Sequence, residues 1–144
     1  MVTGMPNEPL RAYNFRLEVA GLSQTPFRAA TGLGVSIDVI RFREAGSRSI
    51  VRHLPGQVTY EPVTLHYGVI AGQEMVAWLM QSVNGVVERR SASIIMMDNR
   101  SDEVLRWNLF GTWVAAWRGA MLDTLSQEVA VETVTLVYDS LEIA

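Results

Sequence analysis

Apolar and polar side chains alternate with a period of two in segment after segment of this chain, and that alternation limits its fold more than any other feature. Tyr13, Phe15, Leu17 and Val19 alternate with Asn14, Arg16 and Glu18, and Gly21 ends the run. Successive strand residues point to opposite faces, so the pattern describes a half-buried β-strand. Phe27 to Thr31 reads as a short second strand closed by Gly32. Val35, Ile37 and Val39 alternate with Ser36 and Asp38 in a third, which runs to about Phe42. Strand-like residues return from Val58 to Tyr67, interrupted by Pro62, which cannot donate to a ladder and marks an edge or a bend. Val87 to Asp98, Glu103 to Arg118 and Gln127 to Leu141 complete the set. Asn99-Arg100-Ser101-Asp102 is a polar turn between two of these, so a hairpin is expected there. Gly111 is a candidate bulge, a place where the register of a long strand resets. The last strand carries apolar residues of both parities, which predicts cover on both its faces.

One segment follows a different period. Met75, Val76, Leu79, Met80 and Val83 fall at helical spacing, bordered by Trp78, and Asn84-Gly85 supplies a stop. A single helix over about 73–83 is expected, covering one face or end of the sheets. The expected class is therefore mainly β with one flanking α-helix.

The segment from Arg43 to Gln57 departs from both patterns. Arg43, Glu44, Gly46, Ser47, Arg48, Ser49, Arg52, Pro55 and Gly56 give it the density of polar and turn residues of an extended loop or loose hairpin, with Ile50, Val51 and Leu54 as its sizeable apolar side chains. Such a loop is ordinary surface, and it is also how a contact arm looks. No repeat, low-complexity tract or linker divides the chain, and 144 residues suit one domain, 1–144.

Composition narrows the function classes. With 49% hydrophobic and 19% charged residues the chain is not generally disordered. Its net charge of −3 argues against a dedicated nucleic-acid-binding surface. All twelve basic residues are Arg and Lys is absent. With no Cys, disulfides, thiolate catalysis and Cys-based zinc sites are excluded. The first twelve residues lack the basic start and apolar run of a secretory signal, so synthesis in the cytoplasm without a signal peptide is expected. No apolar stretch approaches the roughly 18 residues of a membrane span.

Each chemical motif tested fails. His53 and His66 are thirteen positions apart, and no HExxH pair exists, so neither metal nor cofactor is expected. Gly32-Leu33-Gly34 begins like a dinucleotide fingerprint, but the third position is Ile37 and a strand follows. A phosphate-cradling GxxxxGK[ST] is impossible without Lys, and no GxSxG is present. Asp102 with Glu103, and Glu128 with Glu132, are the nearest carboxylate pairs for acid–base work. Their segments read as turn or strand surface, where salt-bridged or solvated carboxylates are the better expectation. Arg89 and Arg90, consecutive on a strand, point to opposite faces. Trp78, Trp107, Trp113 and Trp117 are expected in the core rather than in a ligand-stacking platform. No enzymatic set emerges. A two-carboxylate hydrolase ranks last, and a β-sandwich binding module for carbohydrate or a protein ligand is the alternative to a structural role.

The order of segments resembles a known family. Thr31-Gly32-Leu33, Val39-Ile40, Arg43-Glu44-Ala45-Gly46, His53-Leu54-Pro55-Gly56 and Leu65 carry the resemblance. So do Trp78 on the lone helix, Arg106-Trp107-Asn108, Trp113, Trp117 and the strand Glu128-Val129-Ala130-Val131-Glu132. Together, from about Tyr13 to Leu141, they are similar to the tail-tube proteins of contractile phages and the inner-tube proteins of phage-derived contractile injection systems. The resemblance implies two packed antiparallel sheets with one flanking helix, whose strands join those of neighbouring subunits in a ring-wide barrel. It implies homo-hexameric rings stacked into a hollow tube, with a contractile sheath around it and baseplate and terminator proteins at its ends. Nucleic acid enters only as lumen cargo. Six subunits giving four strands each, tilted about 40°, would close a barrel roughly 45–50 Å across, with ~35–40 Å open inside. Arg43, Glu44, Gly46, Arg48, Ile50, Arg52, Leu54, Pro55 and Gly56 become the candidate inter-ring contact arm.

Overall fold

The structure, a computed structural model, describes residues 14–43, 50–68, 73–125 and 130–144. Within them the chain forms β1 (Asn14–Val19), β2 (Thr25–Phe27), β3 (Ala29–Thr31), β4 (Gly34–Arg43), β5 (Val51–Glu61), β6 (Val63–Gly68), α1 (Gln73–Val83), β7 (Arg90–Met97), β8 (Glu103–Arg118), β9 (Val131–Val137) and β10 (Ser140–Ile143). Every strand pairing is antiparallel. The class read from the sequence, mainly β with one helix, is what the structure shows.

The long strand β8 organises the body. On one side it pairs with β7, and on the other with β10 along Trp107–Phe110 and then with β9 from Trp113 to Arg118. One strand therefore serves two sheets, β2-β1-β7-β8-β10 and β8-β9-β6-β3. Gly111 sits at the changeover. Arg90 faces Thr112 and Ala92 faces Leu109, so β8 has one residue more than β7 at this point. Gly111 has φ 66°, which only glycine adopts without strain, and the expected bulge is there. A Cβ on Gly111 would fall on the carboxylate of Asp139, which is held by Arg89 at 3.0 Å.

The inward residues of the two sheets meet in one core. Leu17, Val19, Phe27, Ala92, Ile94 and Leu109 come from one sheet, and Val63, Leu65, Tyr67, Val114, Val134 and Leu136 from the other. Each buried Val, Leu, Ile or Phe side chain among them, removed from water, contributes about 1.5–3 kcal/mol before chain entropy is subtracted. The second strand expected at 27–31 is two short ones bent at Arg28. β2 pairs with β1, β3 pairs with β6, and the Arg28 amide donates to the His66 carbonyl at 2.7 Å, tying the two sheets together. The last strand, expected unbroken from 127, is β9 and β10, interrupted at Tyr138-Asp139 where its pairing with β8 steps past the bulge. The strand expected from Val87 begins at Arg90.

Helix α1 has the expected bounds, but a different face is buried. Met75 and Trp78 are the buried residues, and Met80 and Val83 are exposed. The Trp78 indole reaches past the stripe, donates to the Glu88 carbonyl at 2.7 Å and lies beneath the Arg90 guanidinium at 5.8 Å. These contacts turn the helix so that Trp78 leads. Glu74 anchors the first turn by accepting from the Ser23 amide at 2.8 Å and the Ser23 hydroxyl at 3.1 Å. The helix ends at Gly85, φ 96°, with the Gly85 amide donating to Ser82 and the Val86 amide to Gln81, which satisfies carbonyls left open by the last turn. The hairpin expected at 99–102 joins β7 to β8, where the Asp98 carboxylate accepts from the Arg100 and Asp102 amides at 2.9 and 3.0 Å.

Candidate assembly surface

β4 and β5 pair with each other and, among the described residues, with no other strand. They form a two-stranded ribbon that leaves the body at Gly34 and returns at Glu61. An isolated two-stranded ribbon is marginal in water, because it has too little to bury its apolar face against. Its root is fixed. The Tyr138 hydroxyl donates to the Glu61 carbonyl at 2.6 Å, and Tyr60 packs against Tyr138 with ring centroids 6.0 Å apart. Burial raises the Tyr138 phenol above its ordinary value, so it stays a donor at neutral pH.

Beyond the root the ribbon carries apolar side chains that none of the described residues covers. Val35, Ile37, Val39, Ile40, Phe42, Leu54 and Val58 are all between 43% and 64% exposed. Single exposed apolar residues are ordinary, but a contiguous set on one projecting element marks a contact surface.

Of the residues expected to form a contact arm, five lie on this ribbon. Arg43 ends β4, Ile50 is 65% exposed, and Arg52, Leu54 and Pro55 lie exposed on β5. Gly56, half-buried, stands where the register of the ribbon shifts. Glu44, Gly46 and Arg48 lie outside the described residues. The expected loop from 43 to 57 is largely strand, because β5 begins at Val51 and continues the ladder through Pro55 opposite Val39. The segment read as a half-buried third strand is the other half of the same arm. Val35, Ile37, Val39, Ile40 and Phe42 were missed as surface. Their signal was present in Val39-Ile40, two neighbouring apolar residues that break the alternation.

The four Trp residues separate. Trp78 is buried in the core as expected. Trp107 and Trp113 are half-buried and pack against it. Trp117 is not a core residue: it is 39% exposed, and its indole donates to the Glu132 carboxylate at 3.1 Å. The bulge at Gly111 and a second register shift between Val114 and Ala116 rotate the end of β8 away from the face that unbroken parity assigned to it. Glu132, expected on the surface, is buried under that indole and faces Tyr67 across the ladder. Burial, and then the Glu132 charge, push the Tyr67 phenol up to about 12. Its hydroxyl is buried and has no hydrogen-bond partner among the described residues.

Among the described residues the carboxylates and histidines do not assemble into a site. Glu103 binds Arg106 at 2.7 Å and holds that guanidinium above its usual value, and Glu128 is outside the described residues. Among the described residues no three of His, Cys, Asp and Glu stand close enough to hold a metal ion. None of the described helices is long and apolar enough to cross a membrane.

Comparison with known proteins agrees with this geometry. No curated protein sequence matches the chain. A chain in the sheath–tube complex of an extracellular contractile injection system, PVC, in its extended state is 25% identical with a TM-score of 0.81, over 96% of this chain and 93% of that one. A chain in the tube-terminating cap of the anti-feeding prophage is 26% identical with a TM-score of 0.80, over 99% and 95%. Hcp1 from Flavobacterium johnsoniae, at 16% identity and a TM-score of 0.59 over 92% and 95%, shares the fold. The family model described as T4-like virus tail tube protein gp19 matches residues 11–142. The chain belongs to that tail tube protein family.

Proposed function

We propose that this chain, one tail-tube domain over 1–144, is the structural subunit of the inner tube of a contractile tail or injection particle. Six copies close into a ring, rings stack into a hollow tube, and the lumen passes DNA or protein cargo. The chain has no enzymatic role in this reading. Its partners are further copies of itself, the contractile sheath, and baseplate and terminator proteins at the two ends. The observation that carries the reading is the match to the tail tube family over nearly the whole chain. The ribbon supports it physically, because two strands whose outer edges and apolar side chains are left open among the described residues call for pairing with other chains. Contacts between unlike surfaces of identical subunits propagate into filaments, so the ends need other proteins to stop growth. Arg43, Glu44, Arg48 and Arg52 with Ile50 and Leu54 are assigned to contacts between rings.

Electron microscopy of the purified chain is expected to show rings or hollow rods, at high concentration or seeded by a baseplate protein. A chain that stays monomeric in every such mixture would refute the reading. The alternative of a sugar-stacking module has one half-exposed indole to offer, Trp117, whose N–H is held by Glu132. A ligand-dependent change in tryptophan fluorescence with sugars would support it, and none is expected.

A further inference from the structure

The residues that stop α1 also carry a reactive pair. Five Asn occur in the chain, and Asn84 alone is followed by Gly; the others precede Glu8, Phe15, Arg100 and Leu109. The side-chain amide of an Asn lies within five-membered-ring reach of the backbone nitrogen of the next residue. A side chain on that next residue hinders the approach, and glycine has none. Asn84 and Gly85 are both exposed. Apart from chain neighbours, no heavy atom of the described residues stands within 4 Å of where a Cβ on Gly85 would lie, so water and base reach the attacking nitrogen.

The backbone there is held lightly. The Asn84 amide donates to the Met80 carbonyl at 3.0 Å, and the Gly85 amide to the Ser82 carbonyl at 3.0 Å. The second of these bonds must open before the Gly85 nitrogen can meet the Asn84 side chain. It belongs to the last turn of the helix, and helix ends fray and open at far lower cost than core strands. Gly85, at φ 96°, has the backbone freedom to follow that movement.

We propose that Asn84-Gly85 is a site of spontaneous deamidation and that its product unlatches the end of α1. Base removes the Gly85 amide proton, and the nitrogen attacks the Asn84 Cγ. A new C–N bond closes a succinimide ring, the bond from Cγ to Nδ2 breaks, and Nδ2 leaves as ammonia with a proton from water. The ring then takes up one water. Opening at Cγ restores the original main chain and leaves aspartate at position 84. Opening at the main-chain carbonyl leaves isoaspartate, whose main chain runs through Cβ and Cγ. The sum is amide plus water to carboxylate plus ammonium, with no oxidant or reductant.

Either product places a carboxylate where the helix macrodipole is already negative. The last turn of α1 has no basic residue to offset it. The Arg residues that follow are engaged, Arg89 with Asp139 at 3.0 Å and Arg90 with Glu88 at 3.1 Å. Isoaspartate also lengthens the main chain by one carbon, which moves the Gly85 and Val86 amides away from the Ser82 and Gln81 carbonyls that they now meet. The displacement passes along the connection to Glu88, whose carbonyl holds the Trp78 indole at 2.7 Å. The site stands whether or not the chain builds a tube.

The test holds the full wild-type chain in mildly alkaline buffer and samples it over time. Ion-exchange chromatography resolves the added negative charge, and peptide mapping with electron-transfer fragmentation separates aspartate from isoaspartate. Conversion at position 84 is expected to exceed that at each of the other four Asn at least tenfold, with isoaspartate the larger product. Asn84→Gln, which would have to close a six-membered ring, is expected to slow conversion at that position at least tenfold. In the converted chain, hydrogen exchange at the Gly85 and Val86 amides is expected to be at least tenfold faster than in fresh protein, with the amides of β7 unchanged. Conversion at position 84 no faster than at the other Asn, or seen only once the chain is unfolded in urea, would overturn the site. Unchanged exchange at Gly85 and Val86 in the converted chain would overturn the unlatching of α1.

Discussion

Strands β1 and β4 carry nearly the same pattern and meet opposite fates. In β1, Leu17 and Val19 are at 1% and 3% exposure, sealed by the facing sheet. In β4, Ile37 and Val39 repeat the alternation and stand at 54% and 64%. Alternation states that one face of a strand is to be covered, but not by what. For β1 the cover lies in the facing sheet, and for β4 none of the described residues supplies it. The same alternation thus makes a core strand in one place and leaves apolar side chains on the surface in another.

Substitutions in the body should measure folding, and those in the arm should measure assembly. The largest folding effect is expected at Trp78, which is 2% exposed, donates to the Glu88 carbonyl and lies under Arg90. Trp78→Ala should cost about 3–5 kcal/mol in chemical unfolding of the monomer. Trp107→Ala, at a half-buried site, should cost less. A larger loss at Trp107 would show that the helix side of the core is not its centre.

Gly111→Ala comes next. It forces a positive φ on a residue with a side chain and drives that side chain into Asp139, which must leave Arg89. A loss of about 2 kcal/mol is expected, nearly all of it backbone strain and steric displacement, because an exposed ion pair contributes little. An unchanged midpoint would mean that β8 crosses between the sheets without the bulge.

That bulge also marks the limit of what the sequence discloses. The strands, the helix bounds and Gly111 were legible, because periodicity and glycine report local geometry. The tail-tube resemblance was legible as an order of short segments. The fate of Trp117 was not, because two register shifts along β8 decide which way it faces, and a shift depends on the partner strand. The β4–β5 ribbon was read only in part, as a loop or loose hairpin over 43–57. Its flanks look like core strands residue by residue, and only the apolar pair Val39-Ile40 shows that the pattern changes face. Burial of Glu132 was equally hidden, since it depends on the indole that β8 lays over it.

Tyr67 gives a smaller, pH-dependent effect in the body. Its phenol is raised to about 12 by burial and by Glu132, against about 10 in an unfolded chain. The folded state thus favours the neutral phenol. This contribution is fully present below pH 10 and is lost as pH rises from 10 toward 12. Tyr67→Phe should flatten the fall in stability across that window. At pH 7 it should change stability by less than about 1 kcal/mol, since the hydroxyl it removes is buried without a partner among the described residues. Unchanged alkaline unfolding would assign that titration to another group.

The smallest folding effect is expected at the arm, and it is the sharpest test of the comparison. Phe42 is 47% exposed at the far end of β4, and the Phe-to-Ser change it would undergo is among the most damaging a core can receive. If this surface is completed only by another copy, Phe42→Ser leaves the isolated subunit within about 0.5 kcal/mol of wild type, as exposed sites generally do. The assembled state should then lose thermal stability relative to wild type, with a difference that grows with protein concentration, because only the assembled state buries the ring. A monomer destabilised as much by Phe42→Ser as by Trp78→Ala would place the arm in the subunit's own core, and the distinction between β1 and β4 would disappear.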